Sequence, residues 1–358
     1  MLKWYLKSGL LTGLALAVVF TFIRPVQAFE VKFSGQVNQL IMWADNGNAS
    51  DLFIADNDNS STRFRFTGNE DFGKVGVGFK IELEAQRNAT DTLDIPNTGD
   101  GDFEFNDRWL DAYFKGVFGK LSIGKGDGAA NNTSETDLSG TGVIMYSSVN
   151  DTAGSFTWTS NNGTKIVRNG ANLAVGDTRS NFDGLSRNER VRYDSPKFAG
   201  FAFAGSVTNG DAWEVSGWYT GDFGAGGKLA VSLGYVDSND RTTPTYTQWG
   251  GSVSWLHPIG INITLALGER DTDGGTNADN GYAKVGWKSG MHAVAVEYGQ
   301  TSDLSKNGDT SDNLGASYVV SPWSGIEFYA AIRSFSFEQY GPDPENINQI
   351  MAGTRIKF

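Results

Sequence analysis

Cysteine is absent from the 358 residues. That excludes a disulfide framework, a thiolate nucleophile and a thiolate metal site. Histidine is nearly absent too. His257 and His292 each sit beside a predicted short turn, in His257-Pro258 and Gly290-Met291-His292. An enzyme built on a barrel, such as a lipase or protease, would ordinarily need a histidine base at an accessible face, so no enzyme and no cofactor are expected. Basic residues are outnumbered, 29 against 41, for a net charge of −12, which argues against nucleic acid as a partner. Long apolar runs are missing except for Gly9 to Ile23. That run falls short of the ~20 residues of a membrane-spanning helix. Lys3 and Lys7 before it and Val26-Gln27-Ala28 after it make residues 1–28 a secretory signal. Loss of Lys3, Lys7 and Arg24 with the signal would take the net charge to −15. Residues 29–358 contain no linker or composition shift, and read as one domain.

What the chain has is alternation. In VGVGFKIELEAQR, Val75, Val77, Phe79, Ile81, Leu83 and Ala85 form one row. Gly76, Gly78, Lys80, Glu82, Glu84 and Gln86 form the other. FEVKFSGQVNQLIMW sets Val31, Phe33, Val37, Ile41 and Trp43 against Lys32, Ser34, Gln36 and Asn38, with Gln39 breaking the apolar row. STRFRFTG sets Phe64 and Phe66 against Arg63 and Arg65. In FEFNDRWLDAYFKG, Leu110, Ala112 and Phe114 form the apolar row; Arg108 then falls on it, so its side stays open. One such strand suits a soluble sandwich as well as a barrel; the number of them decides. After a fifth strand at Leu121 and Ile123, further strands are read at 188–197, 200–209, 211–221, 228–237, 245–257, 260–270, 281–289, 291–301, 311–321, 325–338 and 346–358. The total is sixteen, each near the ~10 residues of a tilted membrane strand. Short connections (71–74, 117–120, 197–200, 222–227) alternate with longer polar ones such as 271–280 and 302–310. Trp43, Tyr193, Trp249, Trp255, Trp287, Tyr298 and Trp323 cluster near strand ends, where amphipathic rings prefer the membrane interface. The expected fold is all-β: a 16-stranded antiparallel transmembrane β-barrel in the outer membrane, in contact with its lipid.

Residues 126–186 stand apart. They are rich in Gly, Asn, Ser, Thr and Asp, yet carry Val143-Ile144-Met145-Tyr146, Phe156 and Trp158, which argue against disorder. We expect this third loop to fold inward and set a pore; the alternative is an exposed surface loop.

With a signal followed by VKFSGQVNQLIMW, then STRFRFTG, FGKLSIGKGDGA, RVRYDSPKFAGF and a terminal RIKF, the chain resembles the Gram-negative general porins over nearly all of residues 29–358. The resemblance implies a homotrimeric, water-filled barrel for small hydrophilic solutes. It implies a third loop presenting carboxylates to a basic wall, and a terminal Phe358 that serves as the signal for the barrel-assembly machinery. It places Glu135 and Asp137 on the loop, Arg63 on the wall in strand two and Arg190 in strand six. The Pro-Glu-Phe-Gly-Gly tip of enterobacterial porins is replaced by SETDLSGTG, and the loop is longer, with a hairpin signal at Asn162-Gly163.

With parity added, the expected constriction has Asp127, Glu135 and Asp137 on the loop side, and Arg63, Arg65, Lys80, Glu82, Glu84, Arg190 and Arg192 on the wall side. Glu82 and Glu84 read as solvated lumen charges rather than a catalytic pair. The same arginines could instead only hold the loop in place. Asp56-Asn57-Asp58-Asn59 and Asp271-Thr272-Asp273-Gly274 faintly resemble calcium loops but lack the closing Glu. Solvated loops are the default there, with weak divalent binding as the alternative; no metal site is assigned. Net charge favours a mild cation preference. A substrate-specific channel and a structural or adhesive barrel are the alternatives.

Overall fold

The computed structural model describes residues 29–358 apart from 97, 98, 100, 102, 342 and 343. The signal assigned to 1–28 lies outside the described residues. Strands β1 (Glu30–Asp45), β2 (Ser50–Asp56), β3 (Arg63–Phe72), β4 (Val75–Arg87), β5 (Phe103–Gly116) and β6 (Gly119–Asp127) precede the long loop. The loop carries a small hairpin, β7 (Val167–Arg168) and β8 (Ala171–Asn172). After it come β9 (Arg187–Asp194), β10 (Phe201–Thr208), β11 (Trp213–Asp222), β12 (Lys228–Asp237), β13 (Tyr246–Leu256) and β14 (Ile261–Thr272). The last are β15 (Asn277–Ser289), β16 (His292–Ser302), β17 (Thr310–Trp323), β18 (Ile326–Glu338) and β19 (Ile347–Lys357).

Neighbours in the barrel are antiparallel, and the ring closes where β19 pairs with β1, from Gln36 opposite Lys357 to Asp45 opposite Asn348. β2 pairs with the upper half of β1 and β3 with its lower half. They are two pieces of one barrel strand, interrupted at 57–62, so the barrel is sixteen-stranded and closed. Closure removes the unpaired edges that lipid would not tolerate. Residues 50–56, read from sequence as part of a loop, are strand: Leu52 and Ile54 face outward while Phe53 and Ala55 face in. The connection expected at 271–280 shrinks to 273–276. Its polar flanks pair as strand because the sheet runs on past the lipid into water.

The outer face carries the apolar rows. Val31, Phe33, Ile41, Leu265, Leu267, Val285, Val296 and Ile350 all point away from the barrel. At the short-turn end, Tyr193, Trp255 and Trp287 donate to the turn carbonyls of Phe118, Gly226 and Ile259 at 2.6, 2.9 and 3.2 Å. At the other end Trp249 donates to Glu269 at 3.2 Å. These polar tips mark the two interfaces.

The inner face is not uniformly polar, and this positions the loop. Leu40, Met42 and Ala44 of β1, Phe53 of β2, and Ala293, Val319, Ala331, Phe335, Phe337 and Met351 of β16–β19 point inward and are buried. Val143, Ile144, Met145, Val149, Phe156, Trp158, Leu173 and Val175 of the loop pack on them. Trp158 stacks on Phe337 at 5.3 Å, and Phe156 meets Phe53 edge-on at 5.8 Å. Against a water-filled lumen this burial is driven by the hydrophobic effect, and cores of this kind lose about 3–5 kcal/mol when a Phe or Trp is cut to alanine.

The loop's first stretch docks differently. Serines of β10–β13 meet its backbone. Ser206 accepts from Ala129 N–H at 2.8 Å, Ser216 donates to the Ala129 carbonyl at 2.6 Å, and Ser232 and Ser252 donate to the Thr133 carbonyl at 2.7 and 2.6 Å. Ser254 accepts from Leu138 N–H at 2.9 Å. The wall glycines make room: a Cβ on Gly250 would lie 2.2 Å from the Phe182 carbonyl oxygen. Buried charges fix the register. Lys284 donates to Asp137 and to the Met145 carbonyl, both at 2.8 Å. Arg333, paired with Glu297 at 2.7 Å, also reaches Thr152. Removing one partner of such a pair costs about 3–5 kcal/mol, because the other charge stays buried and alone.

Candidate pore lining

The loop leaves open a space lined by the 57–62 interruption and by residues of β3, β5, β9, β14, β18 and β19. It is a cavity of about 760 Å³. Asn131, Glu135, Asp137, Tyr146, Asp151 and Asp183 of the loop line one side. Arg63, Arg108, Arg187, Arg270 and Arg355 line the other, with Asp58 and Glu327.

Each arginine is placed by a distinct local device. Arg63 opens β3 and donates through Nε to the Ser61 carbonyl at 2.9 Å. Arg108 lies at a β-bulge: Glu82 pairs with Trp109 but Leu83 pairs with Asp107. The extra residue puts Arg108 and Trp109 both inward, which resolves the side left open by the sequence. Arg270 donates to Gln248 at 2.9 Å and lies 4.3 Å from the Tyr246 ring and 5.1 Å from the Phe182 ring. Among the described residues it has no ion pair. Arg355 reaches Glu327 at 2.5 Å and Ser60 at 2.6 Å.

Ser60 belongs to the 57–62 interruption, which projects inward as a single 3-10 turn, Asp58–Ser60. Asn57 and Asn59 donate to the loop carbonyls of Val143 and Gly142 at 2.9 and 3.1 Å. The barrel wall therefore meets the loop tip through its own excursion. In the Asp-Asn run there, the Asp56 carboxylate is taken up by the protein itself, accepting from Thr62 N–H and Gln39 at 3.0 and 2.7 Å.

The predicted residues do not all come together. Glu135 and Asp137 share the cavity with Arg63. Glu82 and Glu84 are not solvated charges of the open lumen. Glu82 is 1% exposed beneath Arg65 (2.5 Å), Arg108 (3.1 Å), Lys80 (3.4 Å) and Arg63 (3.5 Å). Glu84 is gripped by Arg108 and Ser61. Four cations converging on two acids desolvate them, so this wall presents positive charge. Arg190 and Arg192 do not face the loop acids either. Arg190 is buried against Asp111 at 2.8 Å, and Arg192 holds Asp194 at 2.8 Å and the Gly128 carbonyl at 2.6 Å. Asp127 sits at the loop's root with them, 3.3 Å from Arg187. Asp58, Asp151, Asp183, Arg187 and Arg270 were missed by the sequence reading. Parity could have found Arg270, inward on β14, but nothing local singles out the loop acids.

The loop acids are electrostatically unusual. Burial first, then neighbouring acids, raise them. Asp151 is pushed up to about 7, with Asp58 as its main neighbour. Asp183 reaches about 7, although it accepts from the N–H groups of Asn132 (2.6 Å) and Ser134 (2.9 Å). Glu135 is raised well above the usual range by burial and by Asp183 and Asp151.

A closed sixteen-stranded antiparallel barrel with an apolar outer band and a charged lumen defines an outer-membrane β-barrel channel. The chain belongs to the Gram-negative porin family, whose family model matches residues 9–339. Its fold is similar to that of the anion-selective porin from Comamonas acidovorans (15% identity, TM-score 0.62, covering 92% of this chain and 100% of that one). It is also similar to the outer-membrane-expressed OmpT of Vibrio cholerae (14%, 0.57, 94% and 100%) and to the outer membrane channel DcaP of Acinetobacter baumannii (12%, 0.58, 92% and 98%). No curated protein sequence matches the chain.

Proposed function

We propose that this outer-membrane channel passes small hydrophilic solutes and ions by passive diffusion, as a homotrimer. Its narrowest part would lie between loop residues Glu135, Asp137, Asp151 and Asp183 and the arginines Arg63, Arg108, Arg187, Arg270 and Arg355. The observation that carries the reading is the loop seated inside a closed barrel, with unlike charges facing across the remaining space. A trimer is in keeping with the trimer form described for OmpT of Vibrio cholerae. Solutes would be screened by size and by how their charges fit this field. The alternative, a substrate-specific channel, differs in one readout. Liposome swelling would saturate for a single solute in a panel of sugars and amino acids.

Ion preference follows the protonation of the loop. Above pH 7, Asp151 and Asp183 are ionised, and with a net charge of −15 once the signal is lost the channel should favour cations mildly. As pH falls through about 7 these two acids gain protons while the arginines keep theirs, so the preference should fall and turn toward anions. Reversal potentials in a salt gradient at pH 6 and pH 8.5 test this. Asp151→Asn with Asp183→Asn should hold the pH 6 preference at pH 8.5. A preference independent of pH in the unmodified protein would remove these acids from the selectivity account.

A further inference from the structure

Below the root of the loop, toward the short turns, the inner wall of β5, β6, β9 and β11 holds a second cavity of about 360 Å³. Most of its charges are already matched. Arg190 is spent on Asp111, and Arg192 on Asp194, each at 2.8 Å. Asp127, at the upper edge, stands against Arg187 at 3.3 Å.

Two donors of β6 are left over. The Lys120 ammonium lies 4.7 Å from the centroid of the Tyr113 ring and, among the described residues, makes no hydrogen bond or ion pair. Ser122, two residues on along the same inner face, is 1% exposed, and its hydroxyl has no partner among the described residues. A buried, unpartnered hydroxyl in a cavity wall is a position that a ligand acceptor satisfies. Trp218 supplies an apolar surface, since its only polar atom already donates to Ser216 at 2.9 Å. One unmatched cation, one unmatched hydroxyl and one indole face fit a single carboxylate on a flat apolar body.

We propose that this pocket is a solute subsite for monoanionic aromatic carboxylates. Lys120 and Ser122 take the carboxylate and Trp218 takes the ring. The subsite rests on the channel reading above, because a solute reaches it only through an open lumen. It would hold such acids briefly on the periplasmic side of the constriction, between the loop and the short turns.

The test is single-channel recording of the purified protein in a planar bilayer at moderate salt, with sodium benzoate as the probe. Benzoate should reduce the current saturably, and more effectively from the short-turn side. Acetate, which lacks the ring, and benzylamine, which reverses the charge, should not. Lys120→Met should weaken the block on the order of tenfold, Lys120→Arg should restore most of it, and Trp218→Leu should weaken it independently. Current without benzoate reports the open pore separately, so a protein that fails to conduct argues against the channel and not against the subsite. No saturable block in the unmodified protein, equal block by acetate, or block unchanged in both Lys120→Met and Trp218→Leu would overturn the proposal. If Lys120→Met does not insert, Trp218→Leu carries the test.

Discussion

Without Phe358, the folded, heat-modifiable protein in the outer membrane is expected to fall on the order of tenfold or more. Closure of the barrel depends on one seam, β19 on β1, and Phe358 finishes it. Its N–H donates to the Gly35 carbonyl at 3.1 Å, and its carbonyl accepts from Gly35 N–H at 2.9 Å. Its ring lies 5.6 Å from that of Phe33 and 6.3 Å from that of Phe64. That cluster joins the last strand to the first and to β3 on the lipid side. Removing it takes away both backbone bonds of Gly35 to the last strand, at the point where the chain must zip shut, and an open sheet edge is not tolerated in lipid. Deletion of Phe358 and Phe358→Ala should both reduce heat-modifiable protein in outer-membrane fractions, the deletion more. Phe358→Tyr should retain it. Unchanged amounts after deletion would show that the seam closes without this residue.

Deleting residues 131–142 is expected to raise single-channel conductance by roughly twofold or more, and to admit larger sugars in liposome swelling. This stretch carries Glu135 and Asp137 and lies along Ser232 of β12 and Ser252 and Ser254 of β13. The apolar anchor from Val143 to Val175 is untouched, so the barrel should still assemble. The serines left bare are polar and become wet, and Lys284, which loses Asp137, keeps the Met145 carbonyl and opens to the same water rather than staying buried and alone. Conductance at the original level would mean that this stretch does not narrow the pore.

How much of this could be read from the chain depends on which force set each feature. The sixteen strands were legible because lipid on one side and water on the other impose a period of two, as in Val75 to Gln86. The inner apolar sector was legible only in outline. Leu40, Ile41, Met42, Trp43 and Ala44 form a continuous apolar run, and such a run means burial on both faces. Read as alternation alone, it hid the docking surface for the loop. Arg108 was obscured by the bulge, although β5 carried the signal. Phe103 and Phe105 keep odd parity while Leu110, Ala112 and Phe114 keep even parity, so one residue between them had to be extra. The pairing of Glu82 with four cations depends on residues from three strands, and the raised affinity of Asp151 and Asp183 for protons depends on tertiary burial. Neither is encoded in any local spacing.

The placement of the long loop inside the barrel is the claim on which the rest stands, and a cross-link reads it directly. A Cβ on Gly286, on the inner face of β15, would lie 3.6 Å from the Ser139 Cβ, within the roughly 3.5–4.5 Å span of a disulfide, and 2.9 Å from the Val294 carbonyl oxygen, so the strand must give slightly to seat it. The chain has no cysteine of its own to compete. In the double variant Ser139→Cys with Gly286→Cys, mild oxidation of the folded protein in outer membranes should join the two thiols. After denaturation the product should migrate differently with and without reductant, while the single variants show no shift. Two free thiols that both react with a membrane-impermeant maleimide and never form the bond would place the loop outside the lumen.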